Sequence, residues 1–222
     1  LVKRINAPGK GSNAHVDYAL SGLSHYVMAK GEESSRAVVA KAYIKALEQV
    51  SERETKAFII RQLQIVGQDE SVDALAGYLN DPELSGPAAR ALAAIGTSNA
   101  ENALVAGLMV RMGTNETKRN IIMAIADERV EKAEPALKAL LGSEDQNTRK
   151  DVLYALSRVG TASSLNDLAQ AAEQAGFTME NTGANEAYIA LIKRIAANGD
   201  SKTAEKAANT LLKKATKAGT TQ

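Results

Sequence analysis

The feature that most constrains the fold is a short signature, two apolar residues at i and i+3 followed by Gly or Ala, that returns five times. Its last apolar residue stands at Val66, Ile95, Ile125, Val159 and Ile195, so successive copies are 29, 30, 34 and 36 residues apart. Self-similarity at such a period is typical of repeat proteins, in which each unit covers the apolar face of its neighbours. The spacing therefore predicts a solenoid.

The apolar residues inside each unit recur at helical spacing. Ile60, Leu63 and Val66 share one helix face, and a second apolar run begins five residues after Gly67. The alanine-rich stretch 88–94 favours helix, because alanine is the strongest helix former. We therefore predict an all-α fold, a right-handed α-α superhelix of about six antiparallel helix pairs. The predicted pairs are 13–52, 53–81, 84–112, 114–143, 145–175 and 184–218.

Residues with capping chemistry stand between the helices of each predicted pair. Glycine adopts the left-handed backbone at little steric cost, so we expect Gly67, Gly96 and Gly160 to end first helices in that conformation. A side-chain oxygen can accept a hydrogen bond from an unpaired helix amide. The predicted N-caps of the second helices are Asp69, Ser98 or Asn99, Ser163 and Asp200.

The helical pattern also sets the predicted domain organisation. Residues 1–12 are expected to be a flexible N-terminal segment, because they include Pro8, Gly9 and Gly11. Residues 13–218 are expected to form a single α-solenoid domain, followed by a disordered tail at 219–222. Because the sequence begins at Leu1, we also expect an upstream segment to have been removed.

Two segments resemble the first helix of a short HEAT-like repeat. Residues 148–160, TRKDVLYALSRVG, have an arginine near the start and an Ala-Leu-x-x-apolar-Gly finish, and residues 87–96, PAARALAAIG, are similar. The resemblance to this HEAT-like, armadillo-type family is good over about 53–175. Asp127 stands where the family has its glycine. The resemblance implies an α-solenoid that binds other molecules.

A second resemblance concerns residues 57–67, AFIIRQLQIVG, which follow a segment rich in Pro and Gly. They resemble the helical region of large exported proteins of Bacteroides-type bacteria, in which a repeat array is often joined to a lectin-like sugar-hydrolase domain. The resemblance implies a bacterial protein of the periplasm, the cell envelope or the secreted fraction. It also implies an alternative function, as a helical accessory domain of a carbohydrate-active enzyme whose catalytic domain lies outside these residues.

The residue types needed for most catalytic sites are missing or wrongly spaced. The chain has no cysteine, which excludes thiol nucleophiles and thiolate metal sites. His15 and His25 are ten residues apart and cannot share a metal on one helix. The segment NAPGKGS at 6–12 lacks the first glycine and the hydroxyl residue of a phosphate-binding loop. We therefore expect no catalytic residue, no cofactor and no metal in this region.

Charge is nearly balanced over the whole chain, with 27 basic and 26 acidic residues. We therefore do not expect nucleic-acid binding, and because charges interrupt every apolar run we expect a soluble chain with no membrane span. The region after Ala190 is the exception, with an excess of five positive charges. Either it is the polar outer face of a terminal repeat or it binds an anionic partner. Its charged residues are Lys193, Arg194, Lys202, Lys206, Lys213, Lys214 and Lys217, against Asp200 and Glu205.

Two further clusters allow more than one interpretation. The carboxylates Asp127, Glu128, Glu131 and Glu134 could form an acidic pair for glycoside hydrolysis, but interleaved cations favour a solvated charged turn. Tyr18 and Tyr26 lie on one helix face, where packing between helices is favoured over a recognition surface.

The function that agrees with the repeat and with the missing catalytic groups is a non-catalytic interaction or scaffolding module. We expect the second helices to line a concave groove for a protein or peptide, or for a glycan through a neighbouring domain. The predicted partner-binding residues on these helices are Asn80, Glu101, Asp167 and Lys206.

Overall fold

The structure, a computed structural model, describes residues 2–6, 10–110 and 113–217. These residues form twelve α-helices and contain no β-strand, which confirms the all-α prediction. The helices are α1 (Ala14–Tyr26), α2 (Glu33–Gln49), α3 (Arg53–Val66), α4 (Val72–Ala76), α5 (Ser85–Ile95), α6 (Ser98–Met109), α7 (Asn115–Glu128), α8 (Glu134–Ala139), α9 (Gln146–Val159), α10 (Leu165–Gln174), α11 (Ala184–Ala197) and α12 (Ser201–Lys217).

Each predicted pair contains two consecutive helices, so all six predicted pairs are confirmed. Single 3-10 turns lead into α4, α8 and α10, at Asp69–Ser71, Glu131–Ala133 and Ala162–Ser164. Part of the predicted flexible segment 1–12 and all of the predicted tail 219–222 lie outside the described residues. None of the helices in the described ranges is both long and apolar enough to cross a membrane.

The chain divides into two compact units, Leu1–Ala124 and Ile125–Gln222. In the first unit α3 packs against α5, and α4 packs against α5 and α6. In the second unit α9 packs against α11, and α10 packs against α11 and α12. First helices therefore lie beside first helices and second helices beside second helices, as expected for stacked repeats. The handedness and the curvature of the array stay predictions.

The first helices contribute a large part of the apolar core. Ile60, Leu63 and Val66 of α3 are fully buried, as are Leu156 and Val159 of α9. Burying a side chain of this size contributes roughly 1.5–3 kcal/mol. The signature residues of α3 and α9 are therefore part of the apolar core.

Arginines on the first helices reach the open carbonyls at the end of a neighbouring first helix. Arg158 of α9 donates from Nε to the carbonyl of Ala126 over 2.8 Å. Arg194 of α11 donates to the carbonyl of Gly160 and also pairs with Glu131. Because the last carbonyls of a helix have no partner within the helix, each arginine satisfies a group that would otherwise be open.

The first pair departs from this pattern. Tyr43 of α2 is buried and donates to the carbonyl of Leu20 in α1 over 3.0 Å. Arg36, near the start of α2, donates to the carbonyls of Val66 and Gly67 at the end of α3 over 2.7 and 2.9 Å. The N-terminus of α2 therefore lies at the C-terminus of α3, so α2 and α3 run in opposite directions.

The expected left-handed glycine is confirmed at one helix end and wrong at two. Gly96 has φ 63°, in the left-handed region. Gly67 and Gly160 have φ −64° and −62° and are extended. A Cβ atom at these two positions would lie 2.5 Å from the carbonyl oxygen of Leu63 and 2.4 Å from that of Leu156. Glycine is needed there for close backbone approach rather than for its backbone angle.

Helix α7 ends without glycine. The helix continues to Glu128, and Arg129 takes the left-handed conformation with φ 56°. The amide of Val130 then donates to the carbonyl of Ile125 over 3.0 Å, the bond that closes a Schellman ending. Arg129 therefore ends this helix in the left-handed conformation that glycine usually adopts at a helix end.

Among the predicted N-caps, Asp200 is confirmed, because its carboxylate accepts from the amide of Thr203 over 3.1 Å. The prediction was wrong for the second helix α6, where the preceding Thr97 is the cap and accepts from the amide of Ala100. It was also wrong for Asp69, whose carboxylate accepts from Thr97 and from Asn99 one repeat later. Ser163 lies in the 3-10 turn capped by Thr161.

We predict that Gly160→Ala lowers the free energy of unfolding by about 2 kcal/mol, because the new Cβ cannot coexist with the carbonyl of Leu156 unless the helix end moves. Gly22→Ala in α1 is the control, because its Cβ would enter open space. It should stabilise by about 0.5–1 kcal/mol. Urea denaturation followed by circular dichroism measures both, and equal effects would contradict the close-approach explanation.

Candidate functional site

A cleft of about 480 Å³ opens in the second unit between α8, α9, α10 and the segment that leads into α11. A cleft of this size lies in the range of typical ligand sites. Its lining residues are Lys138, Leu141, Gly142, Arg149, Leu153, Asp167, Gln170, Ala171, Gln174, Ala175, Glu180, Thr182 and Ala184.

The cleft combines small apolar side chains with amide groups. Ala171 and Ala175 of α10 and Leu153 of α9 line it with apolar surface. Gln170 and Gln174 are both exposed and stand one helical turn apart on α10. Each glutamine side chain carries an acceptor and two donors, so the pair can hydrogen-bond a polypeptide backbone, which also offers both.

An ion pair joins the two second helices that border the cleft. Lys138 of α8 lies 2.9 Å from Asp167 of α10, and its ammonium also donates to the carbonyl of Ser163 over 2.9 Å. Both side chains are about one-third exposed, so the ion pair contributes little to stability. Its main effect is to fix the position of α8 relative to α10.

Charged groups from α9 and from the segment before α11 also line the cleft. Arg149 donates from Nη1 to the carbonyls of Ser143 and Glu144. Glu180 accepts from the hydroxyl and the amide of Thr182. The hydroxyl of Thr182, aided by nearby backbone amides, holds the pKa of Glu180 below its ordinary value, so this carboxylate is ionised at neutral pH.

Beneath the Lys138–Asp167 pair, a buried carboxylate fixes α8 against the start of α10. Glu134 is only 8% exposed and accepts from the amide of Thr161 over 2.8 Å and from the hydroxyls of Ser163 and Ser164 over 2.8 and 2.5 Å. Burial alone would raise the pKa of Glu134, but these hydrogen bonds outweigh it and lower the pKa.

The interpretation of residues 127–134 as a wholly solvated turn was therefore wrong for Glu134. Its partners stand 27 to 30 residues later, which is one repeat. The sequence did contain a signal for this role, the hydroxyl residues Thr161, Ser163 and Ser164 at the matching position of the next repeat. Because the carboxylate of Glu134 accepts hydrogen bonds from these partners, the role of Glu134 is structural.

The four predicted partner-binding residues divide equally between the two units. Asp167 lines the cleft, whereas Lys206 lies in a separate shallow depression on α12. Both of the others belong to the first unit. Asn80 is exposed after α4, and Glu101 is half-buried in the first turn of α6. Gln170 and Gln174 were missed, although their i, i+4 spacing beside alanines was present in the sequence.

The tyrosines and histidines of α1 are on the surface. Tyr18 is 83% exposed and Tyr26 is 63% exposed, so the expectation that they pack between helices was wrong. Their positions on α1 face away from α2 and α3, where Leu20 and Ser24 are buried instead. His15 and His25 are also exposed. In the ranges that the structure describes, no three His, Asp or Glu side chains are grouped as metal ligands.

Residues 108–178 match the family of HEAT repeats. This segment is about a third of the chain and contains α7 to α10 together with the cleft residues from Lys138 to Ala175. No curated protein matches the chain. Among solved structures, the chain is similar to an engineered protein whose crystal structure was determined by the Northeast Structural Genomics Consortium. The two are 20% identical over 99% of this chain and 96% of that chain, with a TM-score of 0.39.

We predict that Glu134→Gln lowers the free energy of unfolding by about 2 kcal/mol near pH 7, because it removes the charge that four donors stabilise. The lowered pKa means that this stabilisation is fully present above the ordinary value of 4.5 and is lost as pH falls through the folded-state pKa.

Urea denaturation of both proteins between about pH 7 and pH 3 provides the measurement. The difference between wild type and variant should be constant above about pH 5.5 and should shrink below pH 4.5. Glu144→Gln is a matched control at an exposed carboxylate of the same unit. A difference that does not change with pH would show that Glu134 acts by shape rather than by charge.

Proposed function

We propose that the chain is a non-catalytic interaction module and that the cleft beside α10 binds an extended segment of a partner protein. The single observation that carries the proposal is that apolar side chains and the two amide side chains of Gln170 and Gln174 line one cleft. Main-chain hydrogen bonds give affinity for an extended peptide, and apolar pockets select its side chains. The match of residues 108–178 to HEAT repeats supports an interaction module.

The chemistry of the cleft also supports binding rather than catalysis. Asp167 is paired with Lys138. Glu180 lies in the segment before α11 and accepts a hydrogen bond from the amide of Thr182. A general acid needs a pKa raised towards neutral pH, whereas the pKa of Glu180 is lowered. These charges are therefore suited to orienting a bound chain by charge and hydrogen bonding.

The proposal is tested by selecting peptides from a phage-displayed random library on the wild-type chain and measuring their affinity by fluorescence anisotropy. Gln170→Ala/Gln174→Ala should weaken the selected peptides at least tenfold, because two hydrogen-bonding side chains are worth about 1–3 kcal/mol together. Gln49→Ala/Gln68→Ala removes two exposed amides of the first unit and serves as the matched control. Equal weakening by both variants, or no selected peptide, would contradict the proposal.

We also propose that Asn80 after α4, Glu101 on α6 and Lys206 on α12 contact a partner. Asp167 is a less direct test of binding, because Asp167→Ala would also break the ion pair with Lys138. Substitution of Asn80 or Glu101 should weaken capture of a partner that reaches the first unit. Equal weakening by substitutions on the first helices would contradict this assignment.

The alternative role, as a helical accessory domain of an exported bacterial carbohydrate-active enzyme, is supported by the resemblance of residues 57–67. In that role the periplasm, the cell envelope or the secreted fraction would be its location, and a glycan would be presented to a neighbouring domain. Glycoside turnover assays with and without the neighbouring domain test it. Turnover by these 222 residues alone would contradict the non-catalytic assignment of the chain.

A further inference from the structure

Helix α12 carries a straight row of lysines on the side opposite its packed face. Ala204 and Ala207 are buried, and α12 packs against α11 and α10. The row consists of Lys202, Lys206, Lys213 and Lys217, all of them exposed. At 100° per residue they lie within an arc of about 60°, and at 1.5 Å per residue they span about 22 Å. We call these four residues the lysine row.

The lysine row has few counter-charges: Asp200 lies close enough to Lys202 to interact with it, and Glu205 lies beside Lys202 and Lys206. In the described part of the chain, none of its four members forms an ion pair within 4.0 Å, whereas Lys214 on the packed side of α12 pairs with Glu173 at 2.6 Å. Glu205 is the single acidic residue of α12 and lies about 60° outside the arc. The positive charge is therefore presented to solvent in one continuous strip.

This arrangement is locally unfavourable for the helix. Lys202 and Lys206 stand at i, i+4, as do Lys213 and Lys217, and like charges at this spacing destabilise a helix. Natural sequences are consistent across levels, and a local conflict that the chain compensates only in part is expected at functional positions. An anionic partner would relieve both repulsions at once.

The residues between the lysines indicate a linear partner. Lys202, Lys206 and Lys213 line a shallow depression of about 450 Å³ together with Glu205, Asn209 and Thr210. No aromatic residue or arginine occurs on α12, so the helix lacks the side chains on which single-stranded bases stack. Ala204 and Ala207 of α12 are buried on its packed side, and Leu212 is its single large apolar side chain that is exposed, so α12 lacks the wide apolar face that enters a bilayer.

We propose that the lysine row is a docking surface for an acidic polypeptide segment. Carboxylates along such a segment would pair with the four ammonium groups in sequence, and Asn209 would hydrogen-bond to it between the two lysine pairs. The surface is separate from the cleft beside α10, so this proposal stands independently of the peptide-binding role of that cleft.

The test uses the full chain and a fluorescein-labelled oligoglutamate of about 16 residues, with binding followed by anisotropy at about 50 mM salt. The wild type should bind, and affinity should fall as salt rises. Each lysine of the row should contribute about threefold, so Lys202→Gln/Lys206→Gln and Lys213→Gln/Lys217→Gln should each weaken binding about tenfold.

Lys41→Gln/Lys45→Gln on α2 is the matched control, since these lysines are also exposed and also stand at i, i+4. It should change affinity less than twofold. Equal weakening by the control, or no binding of oligoglutamate by the wild type, would overturn the proposal. Tighter binding of single-stranded DNA or of phosphatidylserine vesicles than of oligoglutamate, under the same salt, would overturn the choice of an acidic polypeptide.

Discussion

A single helix pair of this chain cannot cover its own apolar side chains, and the whole architecture follows from that constraint. Leu63 on α3 and Leu156 on α9 are fully buried because each of these helices packs against a neighbouring first helix as well as against second helices. The hydrophobic effect rewards this stacking in proportion to the area removed from water. Stability within each unit is therefore expected to depend on nearest-neighbour contacts, and the second helices remain available for binding.

Apolar stacking has little directional preference. Polar side chains that form hydrogen bonds with residues one repeat away therefore set the register between neighbouring repeats. Asp69 in the first unit and Glu134 in the second each hold the start of the next second helix. Arg158 and Arg194 hold the ends of first helices in a similar way. Because Glu134 fixes α8 against α10, the shape of the candidate cleft depends on a carboxylate that does not line it.

The sequence was sufficient for the helix pairs, since their periodicity follows from burial of one face and needs no knowledge of the partner. It was insufficient where a residue's role depends on the atoms that the folded chain places beside it. Gly67 was assigned a left-handed angle, but its requirement is set by the carbonyl of Leu63. Glu134 was assigned to solvent, but its donors lie in the next repeat. In the cleft, Asp167 could be predicted from its position on a second helix, whereas Gln170 and Gln174 could not, because solvation alone also explains polar residues there.

The central claim is that neighbouring repeats, rather than the molecule as one body, stabilise each helix. Amide hydrogen exchange of the full chain with and without Leu156→Ala tests it most directly, because this substitution empties a fully buried site of α9. The account predicts a large loss of protection in α9 and in its neighbours α8 and α11, with little change in α1 to α4. An equal loss of protection in every helix of the chain would contradict it.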